Sequence, residues 1–189
     1  MELKYIISIG LFVLYTIFEF FMGAKQNKSS NTAKSGDKNS FLLISSLNSV
    51  GLLLSFGIGT TNIGKVDYLF LFFIIGLIFY ITGFSIRVIS ILTLKEQFTY
   101  TVTLAKDHVL QTDGIYRLIR HPGYLGQLLI FLGISLFLAN WLSILFMIIP
   151  ILIGYIKRIS IEERFMTKEI GPEYVEYKKH TKKLIPYIF

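Results

Sequence analysis

The chain contains no cysteine. Disulfides, thiolate metal sites and cysteine nucleophiles are therefore excluded. Charge is scarce, at 16% of 189 residues, against about a quarter in a typical soluble domain. No small-residue cleavage site of the A-x-A kind follows the first apolar run, so MELKYIISIGLFVLYTIFEFFMGAKQNK is expected to be a retained helix and not a signal peptide. The apolar runs are continuous and lack the polar/apolar alternation of an outer-membrane barrel. No HExxH spacing and no nucleophile elbow occurs, and no metal site is expected. GIGTTNIG (57–64) has the glycines of a phosphate loop but neither its lysine nor a strand–helix context, so it reads as a turn.

What the chain has instead is apolar length. Hydrophobic residues make up 53% of it, and mean hydropathy is +0.60. Runs of about 17–25 apolar residues suffice to cross a bilayer. Five are expected as helices: about Leu3–Met22, Phe41–Ile58, Tyr68–Leu92, Pro122–Leu138 and Trp141–Lys157. Ala139-Asn140 leaves so short a turn that the last two must form an antiparallel hairpin, with Trp141 at the interface. Gly76 and Gly83 share one face, as do Gly126 and Gly133, which suits close helix packing in lipid. The fold class is an all-α integral membrane protein: five transmembrane helices with a helix 4–5 hairpin and a cytoplasmic C-terminal helical tail. Residues 1–92 carry the first three helices. Residues 93–189 carry a loop, the hairpin and the tail, in one structural domain overall.

The net charge of +7 does not require nucleic acid, because the cations sit beside apolar runs and cytoplasmic loops collect Lys and Arg. The polar linker 23–40, the loop 93–121 and the tail all read as cytoplasmic. The N-terminus is then expected outside and the C-terminus inside the cell membrane. Glu19 is expected to reach water at the inner interface. Arg87 either snorkels to the interface or points into a polar cavity.

Chemistry concentrates in residues 106–126, KDHVLQTDGIYRLIRHPGYLG, which hold two His, two Arg, two Tyr and two Asp. Pro122 suits the first turn of a helix. Arg120 and His121 then stand at a helix mouth, where unpaired N–H groups suit an anion; otherwise Arg120 is a headgroup anchor. In the tail, Ile159, Glu162, Glu163 and Met166 share a side at helical spacing, and Gly171-Pro172 ends that helix. EYVEYKKHTKK begins another.

The C-terminal half resembles the isoprenylcysteine carboxyl methyltransferase and phospholipid methyltransferase superfamily. The resemblance rests on GFSIRVISILTL (83–94), HVLQTDGIYRLIRHPGYLG (108–126), the helical hairpin, RISIEERFM (158–166) and GPEYVEYKKHTKKLIP (171–186). It implies an S-adenosylmethionine-dependent methyltransferase that releases S-adenosylhomocysteine. By position, the cofactor would contact His108, Val109, Leu110, Gln111, Tyr116, His121, Pro122, Gly123, Tyr124 and Glu162. Thr101 is a looser match. Arg158 matches a family arginine at the substrate and is the expected catalytic residue, with Arg87 beside it. Only two helices precede helix 3, as in shorter prokaryotic members. The partners implied are the bilayer and a lipophilic or prenylated acceptor.

If the acceptor is a carboxylate, it is already ionised at pH 7 and needs no base. An amine or hydroxyl would need one, and His108 or Glu163 are the candidates. Two other readings compete. One is a sterol-reductase-like oxidoreductase using NADPH. The other is a non-enzymatic membrane protein or small transporter, against which the lack of polar groups at mid-bilayer argues.

Overall fold

The computed structural model describes residues 3–29, 32–37, 39–105 and 109–186 of the chain. The elements in chain order are α1 (Leu3–Ser29), β1 (Thr32–Asp37), α2 (Asn39–Gly59), α3 (Leu69–Leu94), β2 (Val102–Ala105), α4 (Pro122–Leu136), α5 (Trp141–Ile170) and α6 (Pro172–His180). Single 3-10 turns occupy Lys95–Gln97 and Gly114–Arg117.

Among the described residues, four helices are long and apolar enough to cross a bilayer: α1, α2, α3 and α5. α4 has 15 residues, roughly 22 Å at ~1.5 Å per residue, short of a ~30 Å hydrocarbon core. The expectation of five spans thus meets four full-length helices and one shorter apolar helix.

The two hairpins close at one end of the bundle. Val66 N–H donates to Ala139 O (2.9 Å) and Trp141 N–H to Gly64 O (3.0 Å). Asn140 caps α5, accepting from Leu142 and Ser143 N–H, and its amide donates to Ile63 O at 2.8 Å. Tyr5 hydroxyl donates to Gly59 O at 2.6 Å, so the N-terminus lies at this end too. Residues 60–64 form the expected turn, whereas Gly57–Gly59 are the last turn of α2.

α3 and α4 pack antiparallel with glycines in register. A Cβ on Gly83 would lie 2.6 Å from Gly126 O, and one on Gly133 would lie 2.6 Å from Gly76 O. The two glycine pairs therefore face each other across a single interface. In lipid, where apolar burial gives little net drive, such backbone approach supplies the attraction. α2 packs along α5, and Tyr15, Ile130, Ile134, Met147, Ile151 and Tyr155 fill the core between the helices.

Two expectations change. α5 does not end near Lys157 but runs unbroken to Ile170, because ISIEERFMTKEI contains no breaker before Gly171, whose φ is +76°. Glu162 and Glu163 are thus fixed rigidly to a membrane helix. The linker 23–40 is also more ordered than a flexible linker: its Thr32–Asp37 stretch pairs antiparallel with β2. Residues 101–104, leading into and along β2, alternate half-buried Thr101 and Thr103 with buried Val102 and Leu104, the period-2 pattern of a strand.

Candidate functional site

At the other end of the bundle, α2, α3, α4, α5, α6 and residues 97–100, 103, 110, 111 and 116 line a cavity of about 170 Å³. One buried water needs only ~10–15 Å³, so the space suits part of a ligand. α5 contributes Arg158 and Glu162, the mouth of α4 contributes His121, Gly123 and Tyr124, and α6 contributes Tyr174 and Tyr177.

Glu162 is the centre of the polar wall. Its Oε2 accepts from Tyr124 hydroxyl at 2.8 Å, and its Oε1 lies 4.0 Å from His121 Nδ1. It keeps 23% side-chain exposure, so it is held but accessible. His121 Nε2 is buried without an aligned hydrogen-bond partner among the described residues, although Glu163 Oε1 stands 3.4 Å away.

Arg158 is buried, with 2% side-chain exposure. It donates through Nε to Tyr124 hydroxyl (3.2 Å), through Nη2 to Tyr100 O (2.9 Å), and through Nη1 to Ser40 Oγ. Its nearest carboxylate, Glu162, is 3.9 Å off, so no carboxylate makes a direct hydrogen bond to it among the described residues. Arg87 differs. Glu19 holds it through two bonds, 2.8 Å to Nε and 2.9 Å to Nη2, and Tyr100 hydroxyl donates to the same carboxylate at 2.7 Å.

Arg120 is neither a headgroup anchor nor free for an anion. It is buried, pairs with Glu163 at 2.7 Å, and donates to the carbonyl of Thr181. The helix mouth is also partly filled by the tail: Arg120 N–H donates to Lys182 O (2.8 Å) and His121 N–H to Lys183 O (3.1 Å). Glu163 is thus engaged by Arg120 and is a poor candidate base.

Tyr116 hydroxyl donates to Ser90 O at 3.3 Å, and Tyr177 hydroxyl donates to Tyr116 O at 2.6 Å. Burial, then the Glu162 charge, pushes the Tyr116 phenol well above its ordinary range. Burial pushes Tyr177 up to about 12. Both remain neutral donors at physiological pH.

The family profile described as phospholipid methyltransferase matches residues 71–173. The chain belongs to the phospholipid methyltransferase family. Relatives include a probable protein-S-isoprenylcysteine O-methyltransferase of Oryza sativa subsp. indica, 35% identical over 116 residues, or 60% of this chain and 61% of that protein. The Saccharomyces cerevisiae protein-S-isoprenylcysteine O-methyltransferase is 34% identical over 117 residues, 61% of this chain and 49% of that one. The Xenopus laevis protein of that name is 31% identical over 164 residues, 84% of this chain and 57% of that one. The chain thus spans about half to three fifths of the length of these relatives. The fold also matches a solved eukaryotic intramembrane Ras methyltransferase, isoprenylcysteine carboxyl methyltransferase. TM-score is 0.69 at 23% identity, covering 98% of this chain and 67% of that chain.

Within this phospholipid methyltransferase family member, Arg87, Leu110, Gln111, Tyr116, His121, Gly123, Tyr124, Arg158 and Glu162 all line the cavity. Val109 does not: it is 68% exposed, and its N–H donates to Gln97 Oε1 at 3.1 Å. Pro122 is buried at the start of α4 and does not line it. Thr101 is not part of the lining, whereas Thr99 and Thr103 are. His108 lies outside the described residues.

Sequence reasoning missed Tyr100, Tyr174 and Tyr177, and it expected Glu19 to reach water, whereas its side chain is 15% exposed and paired with Arg87. For Glu19 the signal was an acid inside an apolar helix with an arginine inside another, which lipid forces to pair. Polar groups also run inward from the cavity. Gln127 donates to Tyr15 hydroxyl (2.7 Å) and accepts from Tyr155 hydroxyl (3.1 Å), so the membrane interior is not free of them.

Proposed function

We propose that the chain is an S-adenosylmethionine-dependent methyltransferase of the isoprenylcysteine carboxyl methyltransferase type, acting on a lipophilic acceptor dissolved in the membrane. The observation that carries this reading is the convergence of Glu162, Tyr124, His121 and Arg158 on one cavity. Helix continuity in α5 and the mouth of α4 bring them together from stretches far apart in sequence.

The donor set suits this cofactor. Glu162 offers carboxylate oxygens for ribose hydroxyls or an adenine amine. Tyr116, Tyr124, Tyr174 and Tyr177 offer aromatic faces for a purine ring or a sulfonium. Gly123 lets the mouth of α4 lie close against α3: a Cβ there would meet Arg87 Nη1 at 2.8 Å. His121 Nδ1 stands 4.0 Å from Glu162 Oε1, on the side of the ring away from Glu163. His121, Gly123, Tyr124 and Glu162 would hold the cofactor, with Leu110, Gln111 and Tyr116 completing the wall. His108, Val109 and Pro122 belong to the same stretch. When bound, S-adenosylmethionine supplies an electrophilic methyl group on a sulfonium.

Arg158 is the catalytic residue of this reading. Its charge has no carboxylate within direct hydrogen-bond distance among the described residues, while that of Arg87 is taken up by Glu19. An acceptor carboxylate is ionised at pH 7, and Arg158 orients it. Catalysis is then mainly positioning and exclusion of water. Arg87 braces the floor beneath Gly123.

The site end of the bundle faces the cytoplasm in this reading, with the N-terminus outside the cell membrane. The Lys-rich linker and tail support that side. The test is incubation of membranes containing the chain with methyl-labelled S-adenosylmethionine. Label is expected in an extractable lipophilic product, as a base-labile ester if the acceptor is a carboxylate. Label absent from every membrane fraction would refute the reading, and turnover of NADPH instead would make it an oxidoreductase.

A further inference from the structure

A second feature lies on the far side of Glu163 from His121. Ile149, Ile153 and Ile156 are exposed along one face of α5. That face continues in helical steps of three or four through Ser160, Arg164 and Thr167. It changes there from aliphatic to polar and cationic. A groove opens at the change, and Arg164, Lys168, Lys178 and Lys183 converge on it from α5, α6 and the tail.

Among the described residues lining it, the carboxylate is that of Glu163, which is buried and already paired with Arg120 at 2.7 Å. Lys178 Nζ stays 3.8 Å from it. Favourable placement at a helix C-terminus explains Lys168 and Lys178 singly. It does not explain why Arg164 shares their groove. We infer that this groove binds the phosphate headgroup of an anionic phospholipid from the surrounding bilayer, with the acyl chains lying along Ile149, Ile153 and Ile156. The aliphatic stripe leading into the cations selects a bilayer lipid over a free phosphate. The inference does not depend on methyl transfer.

The test uses the full chain purified in a neutral maltoside detergent. Phosphatidylglycerol and phosphatidylcholine are titrated separately, and bound lipid is counted by native mass spectrometry. Juxtamembrane cations contribute enough for phosphatidylglycerol to bind roughly tenfold more tightly. The double variant Arg164→Gln/Lys168→Gln, altered only at exposed positions, should melt like the wild type without lipid and lose that preference. Raising salt from 0.05 to 0.5 M should remove it from the wild type as well, since exposed charges are screened. Equal binding of the two lipids by the wild type, or an undiminished preference in the double variant, overturns the inference. So does displacement of phosphatidylglycerol by an equal concentration of inorganic phosphate.

Discussion

Glu19 of α1 and Arg87 of α3 form a two-bond ion pair, at 2.8 and 2.9 Å, inside the helical bundle. Their side chains are 15% and 5% exposed, and the Arg87 guanidinium also lies 5.1 Å over the ring of Phe98. The pair ties α1 to the cavity floor. Removing one partner strands the other charge where solvent is scarce, at a cost of about 3–5 kcal/mol. Glu19→Gln should therefore lower the melting point in detergent sharply. The double change Glu19→Leu/Arg87→Met should recover most of that loss.

The α3–α4 interface makes a second prediction. Gly83→Ala would place a methyl 2.6 Å from Gly126 O and 2.7 Å from Ile130 N. Backbone atoms cannot step aside, so the helices must separate, costing about 1–3 kcal/mol. Gly57→Ala, with nothing within 4 Å of its Cβ, is the control and should be neutral or slightly stabilising by helix propensity. Unfolding of both variants in a denaturing detergent series checks the difference.

Arg158 should separate turnover from cofactor binding. Arg158→Lys keeps a charge but loses the fork that reaches Tyr124, Tyr100 O and Ser40 together. The expected outcome is a fall in kcat of about 10²-fold with S-adenosylhomocysteine affinity within a few-fold of wild type. Loss of both in equal measure would assign Arg158 to the fold and not to the acceptor.

Alkaline stability follows from the buried phenols of the tail. An unfolded tyrosine titrates near 10, and burial raises Tyr177 to about 12 in the folded chain. The native state holds its proton more tightly. That contribution is complete below pH 10 and is lost as pH rises through 12. Tyr177→Phe should be less stable at pH 8, by about 0.5–1.5 kcal/mol for the lost bond to Tyr116 O. Its stability should also fall less steeply between pH 10 and 12. Melting curves across that window check both.

The membrane helices and the paired glycines were legible because apolar length and small-residue spacing are local signals. So was the turn at Ala139-Asn140. The cavity lining was legible mainly where a motif carried it: His121, Tyr124, Arg158 and Glu162 were all named from the chain. What escaped depends on contacts between distant segments. Nothing near Glu19 in sequence announces Arg87, and nothing near Arg120 announces Glu163 or the Thr181 carbonyl. The extent of α5 was misjudged because the change from apolar to charged residues after Lys157 marks a membrane boundary, not the end of a helix. Val109 sits in the motif, yet its side chain is exposed.

Glu162 and His121 are expected to share one bound nucleotide. Calorimetric titration of the detergent-solubilised chain with S-adenosylhomocysteine tests it most directly. Saturable binding with one site per chain is expected, weakened about 10–100-fold in Glu162→Ala by loss of charge-assisted hydrogen bonds, in protein that melts like the wild type. Absence of binding by the wild type, or unchanged affinity in Glu162→Ala, would contradict it.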